Sequence, residues 1–515
     1  MRCWWKRAIW AAVFFCVAAN PAVANDGRWR RAESEHFVVF SDGSESGLRD
    51  ATQTLEDFHG ALETLTRTAG TEDSTFKLEI YLLEDRASLR IVRPGTSEGI
   101  LGFYRTSAEH MAAFLVYNNN FDVDAREVLM HEYAHHFMLH RFPAAYPRWY
   151  TEGWAEFVST TEIRDRRAIV GTPSERLNFL VEANASGIAM RTPRNLFSVN
   201  LLPIDQLLAP DRFPQRHTDP EFVHRFYSTS WLAASLIANR PELAQGLTNY
   251  VRALGEGADP LESFEPAFGM SRADFSSAMS TYIRAGSARV MGVSLPAAQA
   301  SVQIARLPAS MDDLLLRVAR MKLRIALDEE PDELAEVVNR AAARYPNDPF
   351  VVKAAARVAL MSNDAARARA LLEPLVAASD DAEALLLLGL TYSSEAAREG
   401  QTPAAAGEAI RTARRYWARG FRATPDYFPI LFLYASSFGG GAQPMTPDQL
   451  DVMARALYLA PQADDIRFAY AEAALRAGRY NEAADTLRPL LHTPHDEDAQ
   501  TRARNLFEVA RRGGN

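Results

Sequence analysis

The sequence predicts an α+β chain: a small mixed sheet followed by a helical subdomain in the first half, joined to an all-α array of paired helices in the second. Three observations carry that expectation. Short apolar runs bounded by polar residues, the pattern of strands, are read as far as Asn118. From Asp122 to about Arg284 apolar residues recur at helical spacing. Beyond Ser310, Ala and Leu dominate, and helical segments recur in pairs separated by proline.

In chain order, HFVVFSD (His36–Asp42), KLEIYLLED (Lys77–Asp85) and MAAFLVYN (Met111–Asn118) read as strands. Between the first two, Ser44–Thr68 has the apolar spacing of a helix. The helical stretch that follows is interrupted by a proline-rich loop from Pro203 to Pro220 and closes with FGMSRADFSSAMSTYI, Phe268–Ile283. Between Val290 and Ser310 the chain is rich in Ala, Ser and Pro and poor in charge, the composition of an interdomain connection. The expected division is therefore a signal peptide at 1–24, a domain at 25–289, a linker at 290–310 and helical repeats at 311–515. A cut within the linker should leave a foldable first half.

An internal repeat marks the second half. Asp348–Val376 aligns with Asp464–Leu491 at an offset of about 115 residues, with LEPLV matching LRPLL and Ala356 and Ala368 matching Ala471 and Ala483. Prolines 346, 425, 461 and 494 close successive helix pairs, and small residues fall where paired helices must approach closely. This region resembles tetratricopeptide repeats, with ALLLLGLTY (Ala384–Tyr392), ARALYLAP (Ala454–Pro461) and RYNEAADTL (Arg479–Leu487) as the matching stretches. Two departures are the missing tryptophan of the first helix and an insertion around Ser393–Ala405. The resemblance implies a solenoid whose concave face takes a protein partner.

The N-terminus bears on compartment and on chemistry. MRCWWKR is a cationic start, AIWAAVFFCVAA an apolar core and Ala22-Val23-Ala24 a small-x-small cleavage site, so an exported protein, periplasmic or secreted, is expected, without stable membrane insertion after cleavage. Both cysteines, Cys3 and Cys16, lie in that segment. The mature chain then has no disulfide and no thiolate zinc site, and any metal must be held by His and carboxylates. Loss of Arg2, Lys6 and Arg7 with the signal takes the net charge from -9 to -12, which argues against nucleic acid as a partner.

The chemistry concentrates in HEYAHHFMLHRFPAAYPRWYTEGWAEF, His131–Phe157, which holds four histidines and three glutamates. His131-Glu132-Tyr133-Ala134-His135 fits H-E-x-x-H on a helix that starts near Asp122 or Asp124, either of which could cap it. Residues four apart share a helical face, so both imidazoles can reach one ion while Glu132, about 100° round, can reach a water on that ion. A catalytic zinc needs a third protein ligand, and WYTEGWAEF offers Glu152 and Glu156 on a second helix. His136 and His140 fall off the metal face and read as packing or surface residues.

At these residues the sequence resembles the gluzincin zinc peptidases, of thermolysin and aminopeptidase N type, and more closely their peptidase MA-like relatives. In those relatives the H-E-x-x-H helix is followed by W-x-x-E-G-x-A-E, and here the chain reads Trp149-Tyr150-Thr151-Glu152-Gly153-Trp154-Ala155-Glu156. The resemblance covers roughly residues 29 to 285. It implies one Zn2+ per chain held by His131, His135 and Glu152, with Glu156 hydrogen-bonding the far nitrogen of a zinc-bound histidine. HRFYSTSWLAASLI, His224–Ile237, resembles the helix that carries a catalytic tyrosine in a Y-x-x-G context, with Ser230 in place of the glycine. Tyr227 is thus the expected oxyanion stabiliser, with His224 or His217 as substitutes. Met111–Asn118 stands where gluzincins place an edge strand for extended substrate. The G-x-M-E-N motif that holds a free amine is absent, so exopeptidase action is not implied.

The expected function is hydrolysis of a peptide or protein substrate, with Glu132 as general base and the repeats recruiting substrate or partner. The alternative is an inactive peptidase-like scaffold that binds partners through its repeats. A zinc hydrolase acting on other bonds is compatible with the same site.

Overall fold

In the computed structural model the described residues are 26–68, 76–97, 100–117, 123–173, 180–182, 198–213, 219–285, 290–295, 299–325, 327, 331–439, 443–493 and 496–514. Residues 1–24, expected from the sequence to be a signal peptide, and His217 lie outside them. The chain opens with β1 (Asp26–Glu33), β2 (Phe37–Ser41), α1 (Glu45–Thr66), β3 (Leu78–Leu83), α2 (Arg86–Val92), β4 (Gly102–Thr106) and β5 (Met111–Val116). Next come α3 (Val123–Arg141), α4 (Arg148–Ser159), the hairpin β6 (Glu162–Arg164) and β7 (Arg167–Val170), and the short pair β8 (Val181–Glu182) and β9 (Ser198–Val199). The helices α5 (Ile204–Leu208), α6 (Pro220–Ala238), α7 (Pro241–Gly255), α8 (Phe264–Phe268) and α9 (Arg272–Arg284) complete the helical subdomain. Two further strands follow, β10 (Met291–Ser294) and β11 (Gln303–Pro308).

The main sheet has the order β11-β1-β2-β3-β5-β4. Strands β2, β3 and β5 run parallel, as the α1 crossover between β2 and β3 requires, while β1, β11 and β4 are antiparallel to their neighbours. Ser44 caps α1 by accepting the Gly47 amide at 3.1 Å, and α1 buries Leu48, Leu55, Phe58 and Leu62. The alternation within each strand splits the core. Phe37, Val39, Ile80 and Leu82 share one cluster with α1 and α3, and Phe40, Tyr81, Phe103 and Phe114 stack on the other face.

The structure corrects two sequence expectations. Met111–Val116 is an interior strand, and the edge is β4, whose outer side meets no other strand among the described residues. Residues 290–310 are not a free connection: β10 pairs with β7 and β11 pairs with β1. All of the β11 side chains are exposed or half-buried, so the strand is held by backbone pairing and leaves little apolar alternation to read.

The second half is helical: α10 (Leu315–Leu323), α11 (Pro331–Arg344), α12 (Pro349–Met361), α13 (Ala365–Ala378), α14 (Ala382–Ala396), α15 (Pro403–Ala423), α16 (Phe428–Ser436), α17 (Pro447–Leu459), α18 (Asp464–Arg476), α19 (Tyr480–Leu487) and α20 (Glu497–Gly514). The α12–α13 pair begins at Pro349 and the α18–α19 pair at Asp464, 115 residues later, which is the spacing of the internal repeat. A Cβ at Gly389 on α14 would overlap the Trp417 ring of α15, so the glycine permits the close crossing that buries Trp417.

The halves share one interior. Helix α10 lays Leu315, Leu316 and Leu323 on the aromatic face of the sheet, while Phe428, Leu431, Leu459, Leu487 and Leu490 join the cluster built by α1, α3 and α4. A buried ion cluster adds to this. The Arg357 guanidinium bridges Glu109, in the β4–β5 turn, and Glu383 on α14, while Lys322 and Lys353 reach Glu383 at 3.2 and 3.1 Å. Burial alone would raise the Glu383 carboxyl, but the three cations hold it well below the usual carboxylate range. No helix among the described residues is long and apolar enough to cross a membrane.

Candidate metal centre

The centre is built by α3 and α4, with α6 packed against them. Helix α3 starts at Val123, so Asp124 lies inside it, and Asp122 is outside the described residues. The helix ends at Arg141 before Pro143, and Pro147 stands at the entry to α4, so a short proline-bounded loop returns the chain across α3. Trp149 and Phe157 anchor α4 in the core, which turns Glu152, fully buried, toward the two histidines.

The geometry converges. His131 Nε2 and His135 Nε2 are 3.1 Å apart, and a Glu152 oxygen lies 3.4 and 3.6 Å from them. One ligand atom from each residue falls within 4.8 Å of the other two. The far nitrogen of His131, Nδ1, meets a Glu156 oxygen at 3.3 Å. Burial alone would disfavour the imidazolium, yet hydrogen bonding and charge from Glu152 and Glu156 outweigh it and push His131 up to about 10. The site thus attracts positive charge strongly. Two neutral nitrogens and one oxygen are the donor set of a catalytic zinc, so the residues fit the ion that the sequence implies.

Glu132 and His135 line a cleft of about 900 Å³ that also touches Tyr104 of β4. The catalytic base expected from the sequence therefore faces open space beside the His131, His135 and Glu152 cluster. Tyr227, on α6, sets its ring 6.4 Å from that of His131. Its helix is brought close by Gly153, where a Cβ would overlap the Ser230 carbonyl oxygen. His224, one turn before Tyr227, is exposed.

His136 and His140 stand off the ligand set. His136 stacks on Tyr133 with ring centroids 5.7 Å apart, and its Nδ1 lies 3.0 Å from the Tyr104 hydroxyl. The sequence reading missed the other wall of the cleft, which comes from the C-terminal helices through Gln462, Asp464, His492 and Asp496. One signal was present: in the aligned repeat copies the acid at the start of the first helix shifts position.

No family model matches the chain, and no curated protein matches it. Among solved structures it is similar to a thermophilic TPR protein of Thermus thermophilus, at 22% identity and a TM-score of 0.34, over 39% of this chain and 100% of that one.

Proposed function

We propose that the chain is an exported zinc-dependent metallopeptidase that hydrolyses peptide bonds with Glu132 as general base. The observation that carries this reading is the convergence of His131, His135 and Glu152 within 4.8 Å, with Glu132 beside them in an open cleft. A zinc ion in that cluster supplies Lewis acidity, which makes a water more acidic and a carbonyl more electrophilic.

The chain's own residues do the rest. Glu132 accepts the proton of the attacking water and returns it to the leaving amine nitrogen. Glu156 holds the far nitrogen of His131 and so fixes the ring and its tautomer. The Tyr227 hydroxyl donates to the developing oxyanion. The exposed side of β4 takes the substrate backbone in extended form. Partner binding on the helical repeats belongs to the same proposal, and export rests on the cationic and apolar pattern of residues 1–24.

Metal analysis of the purified protein, with turnover on a peptide library, tests the reading. One zinc per chain is expected, lost when His131 and His135 are both replaced by Ala. Glu132→Gln should keep the zinc and lower turnover about 100- to 10,000-fold. Metal content that survives the double replacement, or wild-type turnover in Glu132→Gln, overturns it. A wild-type chain that cleaves no peptide favours the inactive scaffold.

A further inference from the structure

The C-terminal helices reach the candidate centre itself. Gln462 donates from Nε2 to the His136 carbonyl oxygen at 3.2 Å, which pins the start of α18 against the helix that bears the metal ligands. Two residues further on, Asp464 lines the same cleft as Glu132 and His135. Among the described residues no hydrogen bond or ion pair engages its carboxylate. Burial pushes that carboxyl up to about 6, against the pull of Arg467. Asp464 is half-buried and opens on the cleft, so a cation entering there would be drawn to its carboxylate.

The internal repeat supplies an independent comparison. In the first copy Asp348 precedes α12 and caps it, accepting the Phe350 and Val351 amides at 2.9 and 3.2 Å. In the second copy the cap position is Ala463, with no side-chain cap, and the acid sits one residue later as Asp464. The carboxylate that closes a helix end in one copy is thus released toward the cleft in the other. Two of its neighbours are engaged elsewhere. Asp496 caps α20 through the Ala499 amide at 2.8 Å, and Arg467 donates to the carbonyl oxygens of Thr486, at 2.9 Å, and Pro461. Arg105, across the cleft on β4, is exposed and forms no ion pair among the described residues, and its charge joins that of Arg467 in drawing the Asp464 carboxyl down.

We propose that Asp464 is a specificity residue that receives a cationic side chain, lysine or arginine, of a peptide lying in the cleft. The identification of the ligand as a peptide rests on the hydrolytic reading above. In this arrangement the repeats act as one wall of the substrate site, and the preference for a basic side chain is written in α18 rather than in the helices that hold the metal ligands.

The test is binding, kept separate from turnover. Full-length, zinc-loaded Glu132→Gln protein is titrated by fluorescence anisotropy with unstructured peptides matched in pairs, Lys against Gln, with the difference moved along the sequence. At one position the Lys peptide should bind roughly 10-fold more tightly, the effect of one charge-assisted contact. Adding Asp464→Asn should reduce that difference to within about 2-fold, with zinc content unchanged. Asp464→Lys should turn the preference toward Glu at the same position. Equal binding of every pair, a Lys preference that survives Asp464→Asn, a loss of affinity equal for both members of each pair, or no binding of any peptide overturns the assignment. Turnover by the wild-type protein separates the two readings. Cleavage without a Lys preference sinks the role of Asp464 alone, and Lys-selective binding without cleavage sinks the peptidase reading alone.

Discussion

Single side chains decide the centre by which atoms are held face to face. Two imidazole nitrogens 3.1 Å apart beside a fully buried carboxylate favour positive charge among them. Tyr227 is the side chain in the proposed chemistry whose role depends most on direction, because its ring lies near His131 whether or not its hydroxyl serves the oxyanion. Tyr227→Phe should lower turnover about 10- to 1,000-fold with zinc content unchanged, as expected when one oxyanion donor is lost. Unchanged kinetics in that variant would assign the ring to packing. The cluster itself was legible in the sequence, because helical spacing places His131, Glu132 and His135 on neighbouring faces and the W-x-x-E-G-x-A-E pattern pointed to Glu152 and Glu156. Asp464 and Gln462 were not legible, since their place in the cleft comes from docking two distant parts of the chain. The single local trace is the acid that shifts by one position between the aligned repeat copies.

At the scale of elements, the crossing of α4 and α6 sets where Tyr227 can stand relative to the ligands. The Y-x-x-G context that this helix resembles has a glycine where the chain has Ser230. The close approach is carried instead by Gly153, whose missing Cβ leaves room for the Ser230 carbonyl. Gly153→Ala should force the helices apart and cost about 1–3 kcal/mol, the usual penalty of overpacking a tight interior. Chemical denaturation measures this, and an unchanged midpoint would mean that the helices can separate freely. Three strands of the main sheet that escaped the sequence reading have a common cause. β1 carries three arginines, β4 has one buried side chain, and β11 has none, so each is defined by the hydrogen bonds of its neighbours more than by its own apolar pattern.

At the scale of the whole molecule, the linker expected at 290–310 implied that residues 25–289 would fold alone. The structure argues the opposite outcome. That fragment lacks β11, which pairs with β1 at one end of the sheet, and α10, which covers the stacked face of Phe40, Tyr81, Phe103 and Phe114. It also lacks the helices that bring Phe428, Leu459, Leu487 and Leu490 into the core shared with α3 and α4. Each large apolar side chain left uncovered forfeits about 1.5–3 kcal/mol, and the aromatic face alone approaches the roughly 5–15 kcal/mol by which a domain is stable. Cutting there would also strand Glu109 without Arg357, its buried partner. A fragment of residues 25–289 is therefore expected to be insoluble, or soluble without a cooperative thermal transition, and to purify without stoichiometric zinc while the full chain carries it. Circular dichroism melting and metal analysis of both proteins decide the matter. A fragment that melts cooperatively and holds one zinc would return the C-terminal helices to the role of a separable recruiting arm and would weaken the case for treating them as a wall of the cleft.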